Sequence, residues 1–278
     1  MIDFHGQPTA RLENDHLILD YLTEAGPRIV RLIPQALGEN LLAETPDYVL
    51  PSPYGPYRLW GGHRLWHAPE TAARTYVPDD GNLRVVNSGK EVTLTRDETI
   101  TGVRTELAIT MSRGGATVRL AHRLTNIGLW PVELAAWAIT QLRLGGTAVL
   151  PTTGAADAEG LLPDRLIALW PYSRWDDPRF RPGEAAIEIV TQPIARPFKL
   201  GYLNRAGRLA YHYEGVTFTK RWTPQPGRPH VDFGCNAEVY TNDRHLELET
   251  LGPLVRLSPG EAVEHVEAWE VEAGTNSD

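Results

Sequence analysis

The residues best suited to acid–base chemistry stand near the C-terminus, in the segment RHLELETLGP (Arg244–Pro253). Successive side chains of a β-strand point to opposite faces, so Glu247 and Glu249 share one face with His245, and the intervening leucines share the other. Carboxylates and imidazole are common general acids and bases. Two carboxylates and an imidazole behind an apolar face therefore predict the floor of a site, whereas the alternative is a solvated strand edge.

A second cluster lies in WGGHRLWHAPE (Trp60–Glu70). The pair Gly61–Gly62 favours a tight turn, because glycine tolerates backbone angles that other residues avoid. Such a turn could direct His63, Arg64 or His67 towards the same site, where an imidazole can exchange protons near neutral pH. The alternative is a loop with surface histidines.

Composition narrows the classes of partner. The 278 residues carry a net charge of −8, which argues against nucleic acid and anionic membranes as partners. The single cysteine excludes an intramolecular disulfide, and the longest apolar runs are too short to span a bilayer. No secretory signal is evident, so we expect a cytoplasmic protein, a monomer or homodimer. Phosphate-binding and zinc motifs are also missing from the sequence, so no cofactor and no metal are expected.

The elements that must position these residues are almost all strands. Eight runs alternate or are rich in β-branched and aromatic residues, with turn residues between them: HLILDYL, NLRVVNS, EVTLTR, ELAITMS, ATVRLAHRLTN, AIEIVTQ, RLAYHYE and VTFTKRW. Helices are expected only in ETAARTY (70–76) and, ambiguously, in AADAEGLL (155–162). The segments Tyr48–Pro56 and Trp170–Pro182 are expected to be long irregular loops that carry binding groups. The pattern predicts an all-β chain with a single domain, 1–278.

Four segments resemble the galactose mutarotase-like proteins, the superfamily of aldose 1-epimerases and glucose-6-phosphate 1-epimerases. They are WGGHRLWHAPE, HRLTNIGLWPVELAAWAIT (122–140), GCNAEVYTN (234–242) and ELETLGP (247–253). They follow the family's order along nearly the whole chain and are most similar to a bacterial family within that superfamily. The resemblance implies a supersandwich of two large, mostly antiparallel sheets with a sugar-binding groove on one concave face.

The resemblance also implies roles for residues. Glu249 occupies the position of the family's catalytic base, which takes the proton of the anomeric hydroxyl. The family's acid is a histidine on the central strand, where this chain has Trp137-Ala138-Ile139 instead. His63 or His67 would have to supply the missing proton.

Further residues are candidates for binding the substrate. Indole rings are natural platforms for a sugar, and buried core positions are the alternative for them. Lys220 and Arg221 alternate on one strand, so one could contact a carboxylate or phosphate while the other faces water. The candidates are Arg64, Trp66, Trp137, Glu247, Lys220, Arg221, Asn236 and Glu238.

Three functions remain open at this point. The first is an aldose 1-epimerase-like isomerase that interconverts sugar anomers with Glu249 as base. The second is a non-catalytic carbohydrate-binding or sugar-sensing protein. The third is a lyase or another enzyme that acts on oxidised saccharides. All three take a mono- or oligosaccharide or a sugar derivative as the partner.

Overall fold

The computed structural model describes residues 2–152, 161 and 164–274, most of which lie in strands. The strands there are β1 (Ile2–Phe4), β2 (Gln7–Glu13), β3 (Leu17–Leu22), β4 (Arg28–Pro34), β5 (Glu44–Ser52), β6 (Gly55–Gly61), β7 (His63–Ala68), β8 (Leu83–Asn87), β9 (Val92–Glu98), β10 (Val103–Met111), β11 (Thr117–Asn126), β12 (Val132–Leu142), β13 (Thr147–Pro151), β14 (Ile167–Leu169), β15 (Phe180–Pro182), β16 (Ala186–Val190), β17 (Phe198–Tyr202), β18 (Arg208–Tyr213), β19 (Val216–Trp222), β20 (Ala237–Thr241), β21 (Leu246–Leu251), β22 (Val255–Leu257) and β23 (Ala262–Ala273). The one helix described, α1, covers Ala72–Thr75, inside the expected segment 70–76. The other expected helix, 155–162, lies outside the described residues apart from Leu161.

These strands form two large antiparallel sheets and a small one. The first sheet has the order β1-β2-β3-β4-β7-β12-β21-β20-β17-β14, and β22 also pairs with β12. The second sheet has the order β15-β16-β13-β18-β19-β23-β11-β10-β9-β8. The third is the hairpin β5–β6. The prediction of an all-β chain is confirmed.

The core fills the space between the two large sheets. Alternating apolar residues of both sheets meet in one cluster, for example Leu19 and Leu248 from the first sheet and Leu120, Phe218 and Trp269 from the second. Burial of such side chains drives the two sheets together, at roughly 25 cal/mol per Å² of apolar surface. All six residues of β21 are buried, so both faces of this strand are covered. The acidic strand is therefore an interior element of the first sheet.

The eight predicted strand runs are confirmed as β3, β8, β9, β10, β11, β16, β18 and β19. The irregular loop expected over Tyr48–Pro56 is wrong, because this segment forms the end of β5, the turn and the start of β6 in the hairpin β5–β6. Its prolines do not break the pairing, since Pro51 and Pro56 stand opposite each other next to the turn, where Ser52 Oγ donates to the Gly55 carbonyl at 2.7 Å. The segment Trp170–Pro182 is irregular up to β15.

Candidate functional site

The two faces of β21 separate as the alternation predicts. Leu246 and Leu248 join the core between the sheets. Glu249 lies on the other face, where its neighbour across the strands is Ile139 of β12 on one side and Glu238 of β20 on the other. This face of the first sheet is the floor of the candidate site.

Glu249 is fully buried, and its two carboxylate oxygens differ. Oε2 accepts a hydrogen bond from the indole N–H of Trp137 at 2.7 Å and another from the ammonium of Lys199 at 2.9 Å. Oε1 has no hydrogen-bond partner among the described residues. Burial raises the pKa of Glu249 although the nearby Lys199 opposes the shift. The carboxylate is therefore hydrogen-bonded through Oε2 only, within the described residues.

Lys199 is a residue of this floor that sequence reasoning missed. It stands on β17, and its Nζ lies 2.8 Å from Glu238 Oε2 as well as 2.9 Å from Glu249 Oε2. The ammonium also lies 4.8 Å from the ring centre of Trp137 and 4.6 Å from that of Trp170. Burial would lower the pKa of Lys199, but Glu238 and Glu249 together raise it well above its usual value. A single lysine in the otherwise uncharged run FKLGY was the available signal.

A second polar group lies further along the floor around Glu247. Its Oε1 accepts from Arg64 Nη2 at 3.2 Å and from Gln141 Nε2 at 2.8 Å, and Gln141 also contacts His245 Nε2 at 2.9 Å. Burial would raise the pKa of Glu247, but its interactions with His245 and Arg64 hold that pKa at about 2. The Arg64 guanidinium stacks over Trp66 at 4.1 Å. Glu247 is therefore an anion at neutral pH.

A cavity of about 140 Å³ lies above this floor. The hairpin β5–β6 supplies one wall through Tyr48, Leu50 and Leu59, and Tyr76 and Tyr172 stand on other sides. Lys199, Glu247 and Arg64 border the cavity, whereas Glu249 and Glu238 lie beneath its surface. The hairpin, which the sequence did not predict, is thus what turns the sheet face into a walled, half-open site.

Several buried polar atoms around this cavity have no partner in the described part of the chain. Besides Glu249 Oε1, they are Glu238 Oε1, His245 Nδ1, Gln141 Oε1, and Nε and Nη1 of Arg64. Buried polar groups are almost always hydrogen-bonded in folded proteins. Such a concentration in one place indicates a site that is completed by water or by a polar ligand.

The turn at Gly61–Gly62 is as tight as expected. Both residues have positive φ, and a Cβ on Gly61 would lie 1.9 Å from the Ala43 carbonyl oxygen. The turn does not aim the histidines at the cavity, however. Pairing of β7 with β12 places Arg64 opposite Ile139 on the groove side, which puts His63 and His67 on the opposite face of the sheet.

The prediction that His63 or His67 replaces the missing acid therefore does not fit the geometry. His63 is fully buried between the sheets, where its ring nitrogens contact Thr140 Oγ1 at 2.9 Å and His122 Nε2 at 2.8 Å. Burial lowers the pKa of His67 to about 4, with a smaller contribution from Arg74. Both imidazoles are neutral at pH 7 and separated from Glu249 by the sheet itself.

Three other candidates lie away from the groove. Lys220 points from the second sheet into the space between the sheets, and Arg221 points outward, where it pairs with Glu270 at 2.7 Å. Asn236 bonds the backbone N–H of Asn204 at 2.6 Å and its carbonyl at 2.9 Å, so it fastens a loop. The structure brings together Glu249, Glu247, Glu238, Arg64, Trp66 and Trp137.

One cluster between the sheets has the residue types of a metal site. One nitrogen each of His63 and His122 and one oxygen of Glu267 all lie within 4.8 Å of one another. His122 Nδ1 lies 2.9 Å from the His265 carbonyl, which can only accept, so Nδ1 carries the proton and Nε2 accepts from His63. Glu267 already faces the Lys220 ammonium at 3.1 Å. Hydrogen bonds and the ion pair with Lys220 already satisfy the ligand atoms of this cluster, so these atoms do not require a metal ion.

The sequence matches no protein-family profile and no curated protein sequence. Solved structures do match. A galactose mutarotase-like protein from Lactobacillus casei superposes with a TM-score of 0.59 at 11% identity, covering 95% of this chain and 100% of that one. This chain has the galactose mutarotase-like fold.

Two further structures agree with that fold. The aldose epimerase homologue from C. elegans has a TM-score of 0.56 at 11% identity and covers 97% of this chain and 100% of its own. A TPR-domain containing protein from Parabacteroides distasonis reaches 0.65 at 12% identity, with 98% of this chain and 48% of its own covered. At such identities the likeness establishes the fold alone. None of the helices in the described ranges is long and apolar enough to cross a membrane.

Proposed function

We propose that the groove of this protein binds a sugar or a sugar derivative. The observation that carries the proposal is the half-open cavity, which has aromatic walls above a charged floor. Sugars present C–H faces that pack on aromatic rings and hydroxyl groups that bond to charged side chains. The unpartnered polar atoms of Glu249, His245 and Arg64 give such a ligand groups to satisfy. The fold of mutarotase-like proteins supports the same class of ligand.

Interconversion of anomers is the second candidate function. A base would take the proton from the anomeric hydroxyl while an acid protonates the ring oxygen, so that the ring opens to an aldehyde and closes again on either face. The raised pKa of Glu249 and its unpartnered Oε1 favour this function. We place binding first because Glu249 is fully buried beneath Lys199 and the predicted histidines lie on the far side of the sheet.

One set of measurements separates these functions. Calorimetric titration with neutral aldoses, sugar phosphates and uronates measures binding. NMR saturation exchange between α and β anomers of the same sugars measures catalysis. We expect binding of at least one sugar. Exchange above background that is lost in Glu249→Gln would establish the epimerase, and a complete lack of binding would overturn the proposal.

The panel needs a control for the charge of the surface. Arg221→Ala removes an exposed cation that lies outside the groove and is expected to bind every sugar as the wild type does. If Arg221→Ala loses as much affinity as Trp137→Phe, whose ring borders the cavity, the sugar binds elsewhere on the molecule.

A further inference from the structure

The chain has only three lysines, Lys90, Lys199 and Lys220. Lys199 is 4% exposed, and it is the lysine that borders the cavity. An ammonium group has three protons to donate. Glu249 Oε2 accepts one of them at 2.9 Å and Glu238 Oε2 lies in ion-pair contact at 2.8 Å, so the two carboxylates occupy at most two protons and a third is left for the cavity.

The surroundings of Lys199 fix the position of that proton. The rings of Trp137 and Trp170 flank the ammonium, and the indole N–H of Trp137 bonds the same Glu249 oxygen that holds the lysine. The ammonium therefore cannot swing away without leaving two buried carboxylates uncompensated, which is costly. Glu249 and Glu238 stand behind the ammonium as seen from the cavity.

We propose that Lys199 is a sugar-binding contact of the groove. Its third ammonium proton donates to a hydroxyl or ring oxygen of the bound sugar, and Glu238 and Glu249 act as positioning residues that hold the ammonium in place. This inference rests on the proposed binding of a sugar. It gives Glu249 a role that requires no direct contact with the ligand.

The role of Glu249 distinguishes this inference from the epimerase. If Glu249 positions Lys199, then Glu249→Gln keeps an amide oxygen that can still accept from the ammonium, and Glu238 remains. Sugar affinity should then fall by no more than about threefold, because one charged partner of two is kept. Lys199→Met removes the contact itself and should weaken binding by about tenfold or more, the usual loss for a charged hydrogen bond.

The decisive experiment observes the lysines of the unaltered protein. In ¹⁵N-lysine-labelled protein each of the three ammonium groups gives its own NMR signal, and the arginine variants of Lys199 and Lys220 assign the two buried ones. The probe is the tightest-binding sugar of the panel. We expect titration to shift the Lys199 signal with the calorimetric affinity, while the signals of Lys220 and Lys90 stay in place.

The possible outcomes separate the two proposals. Calorimetric binding with an unmoved Lys199 signal would overturn the role of Lys199 and leave the sugar-binding proposal standing. Lack of binding by every sugar would overturn both. Lys199→Arg supplies a cation of different shape and should restore part of the affinity lost in Lys199→Met, whereas equal loss in both variants would indicate a packing role only. If Lys199→Met does not fold, the NMR titration of the wild-type protein still tests whether Lys199 contacts the sugar.

Discussion

Two buried charged centres built on the same three residue types lie on opposite faces of the strands β12 and β21. On the groove face, Lys199 pairs with Glu249, and Trp137 donates its indole N–H to that carboxylate. Between the sheets, Lys220 pairs with Glu267, and Trp269 donates in the same way at 3.0 Å. Each centre is thus a lysine, a glutamate and a tryptophan, so residue type alone does not tell them apart.

The two centres differ in how completely they are satisfied. The Lys220 ammonium also reaches the carbonyls of Ala138 and Leu248 at 2.9 and 3.0 Å, and none of the buried side-chain atoms described in that centre lacks a partner. The centre around Lys199 has two carboxylates for one ammonium and leaves Glu249 Oε1 unpartnered next to a cavity. A closed network fixes the packing of two sheets, whereas an open one is available to a ligand.

The largest effect is expected from breaking the closed centre. Glu267→Gln would leave the Lys220 ammonium without its carboxylate in the buried space between the sheets. The free energy of unfolding should fall by about 3–5 kcal/mol, the usual result of removing one partner of a buried pair. Urea denaturation measures it. Sugar affinity of the folded protein should stay within about twofold of wild type, since the centre faces away from the groove. A loss under about 1 kcal/mol would show that the centre is not closed.

The paired tryptophans give a matched comparison. Trp137→Phe and Trp269→Phe each remove one N–H that donates to a buried carboxylate, and each should cost about 1–3 kcal/mol of stability. Only Trp137→Phe should also weaken sugar binding, by several fold, because its ring borders the cavity. Denaturation and calorimetry on both variants test this. Equal loss of sugar affinity in Trp137→Phe and Trp269→Phe would show that the two centres do not differ in access to the ligand.

Acid should act on the two glutamates in opposite directions. Burial raises the pKa of Glu249, so its folded form binds a proton more tightly than the unfolded chain, and stability is gained as the pH falls through the folded pKa. Burial would also raise the pKa of Glu267, but Lys220 holds that pKa well below its usual range, so stability is lost as the pH falls below the unfolded value. Glu249→Gln should remove the gain in the free energy of unfolding, and Glu267→Gln should remove the loss. Denaturation curves recorded between about pH 7 and pH 3 measure both changes. A gain that persists in Glu249→Gln would assign it to another group.

The smallest effect is expected at Arg221, the neighbour of Lys220 in sequence. Its side chain is 44% exposed and pairs with Glu270 at the surface. Arg221→Ala should change stability by less than about 1 kcal/mol, since exposed ion pairs contribute little. The ion pairs of the adjacent residues Lys220 and Arg221 would then differ severalfold in the free energy of unfolding that is lost when each pair is broken. A loss comparable to that of Glu267→Gln would contradict the assigned faces of β19.

Much of the site was predictable from the acidic strand. Alternation along β21 correctly placed Glu247 and Glu249 on one face, because the two-residue period of a strand is a property of the backbone. The same rule predicted that Lys220 and Arg221 face opposite ways. It does not indicate which of the two faces is covered by the other sheet, and for that reason it also predicts Lys220 as a residue for the ligand, although the side chain lies between the sheets.

The histidines show the limit of local reasoning. The tight turn at Gly61–Gly62 was predicted from residue type, since only glycine fits there. Whether the turn directs His63 or Arg64 to the groove depends on the register of β7 against β12, which shifts every side chain to the other face if it changes by one residue. That register is set by contacts between residues about 75 positions apart in sequence.

The sequence by itself determined the all-β architecture, the alternation of the acidic strand and the face of that strand on which Glu249 lies. These features follow from backbone geometry and from local residue patterns. The tertiary structure alone decided that Lys199 meets Glu249 and Glu238, that the hairpin β5–β6 walls one side of a cavity, and that Lys220 and His63 belong to the core. The physical reason is that burial and ion pairing depend on which strands lie side by side. Strand order places β7, β12 and β21 side by side across long stretches of chain, and no local pattern encodes that order.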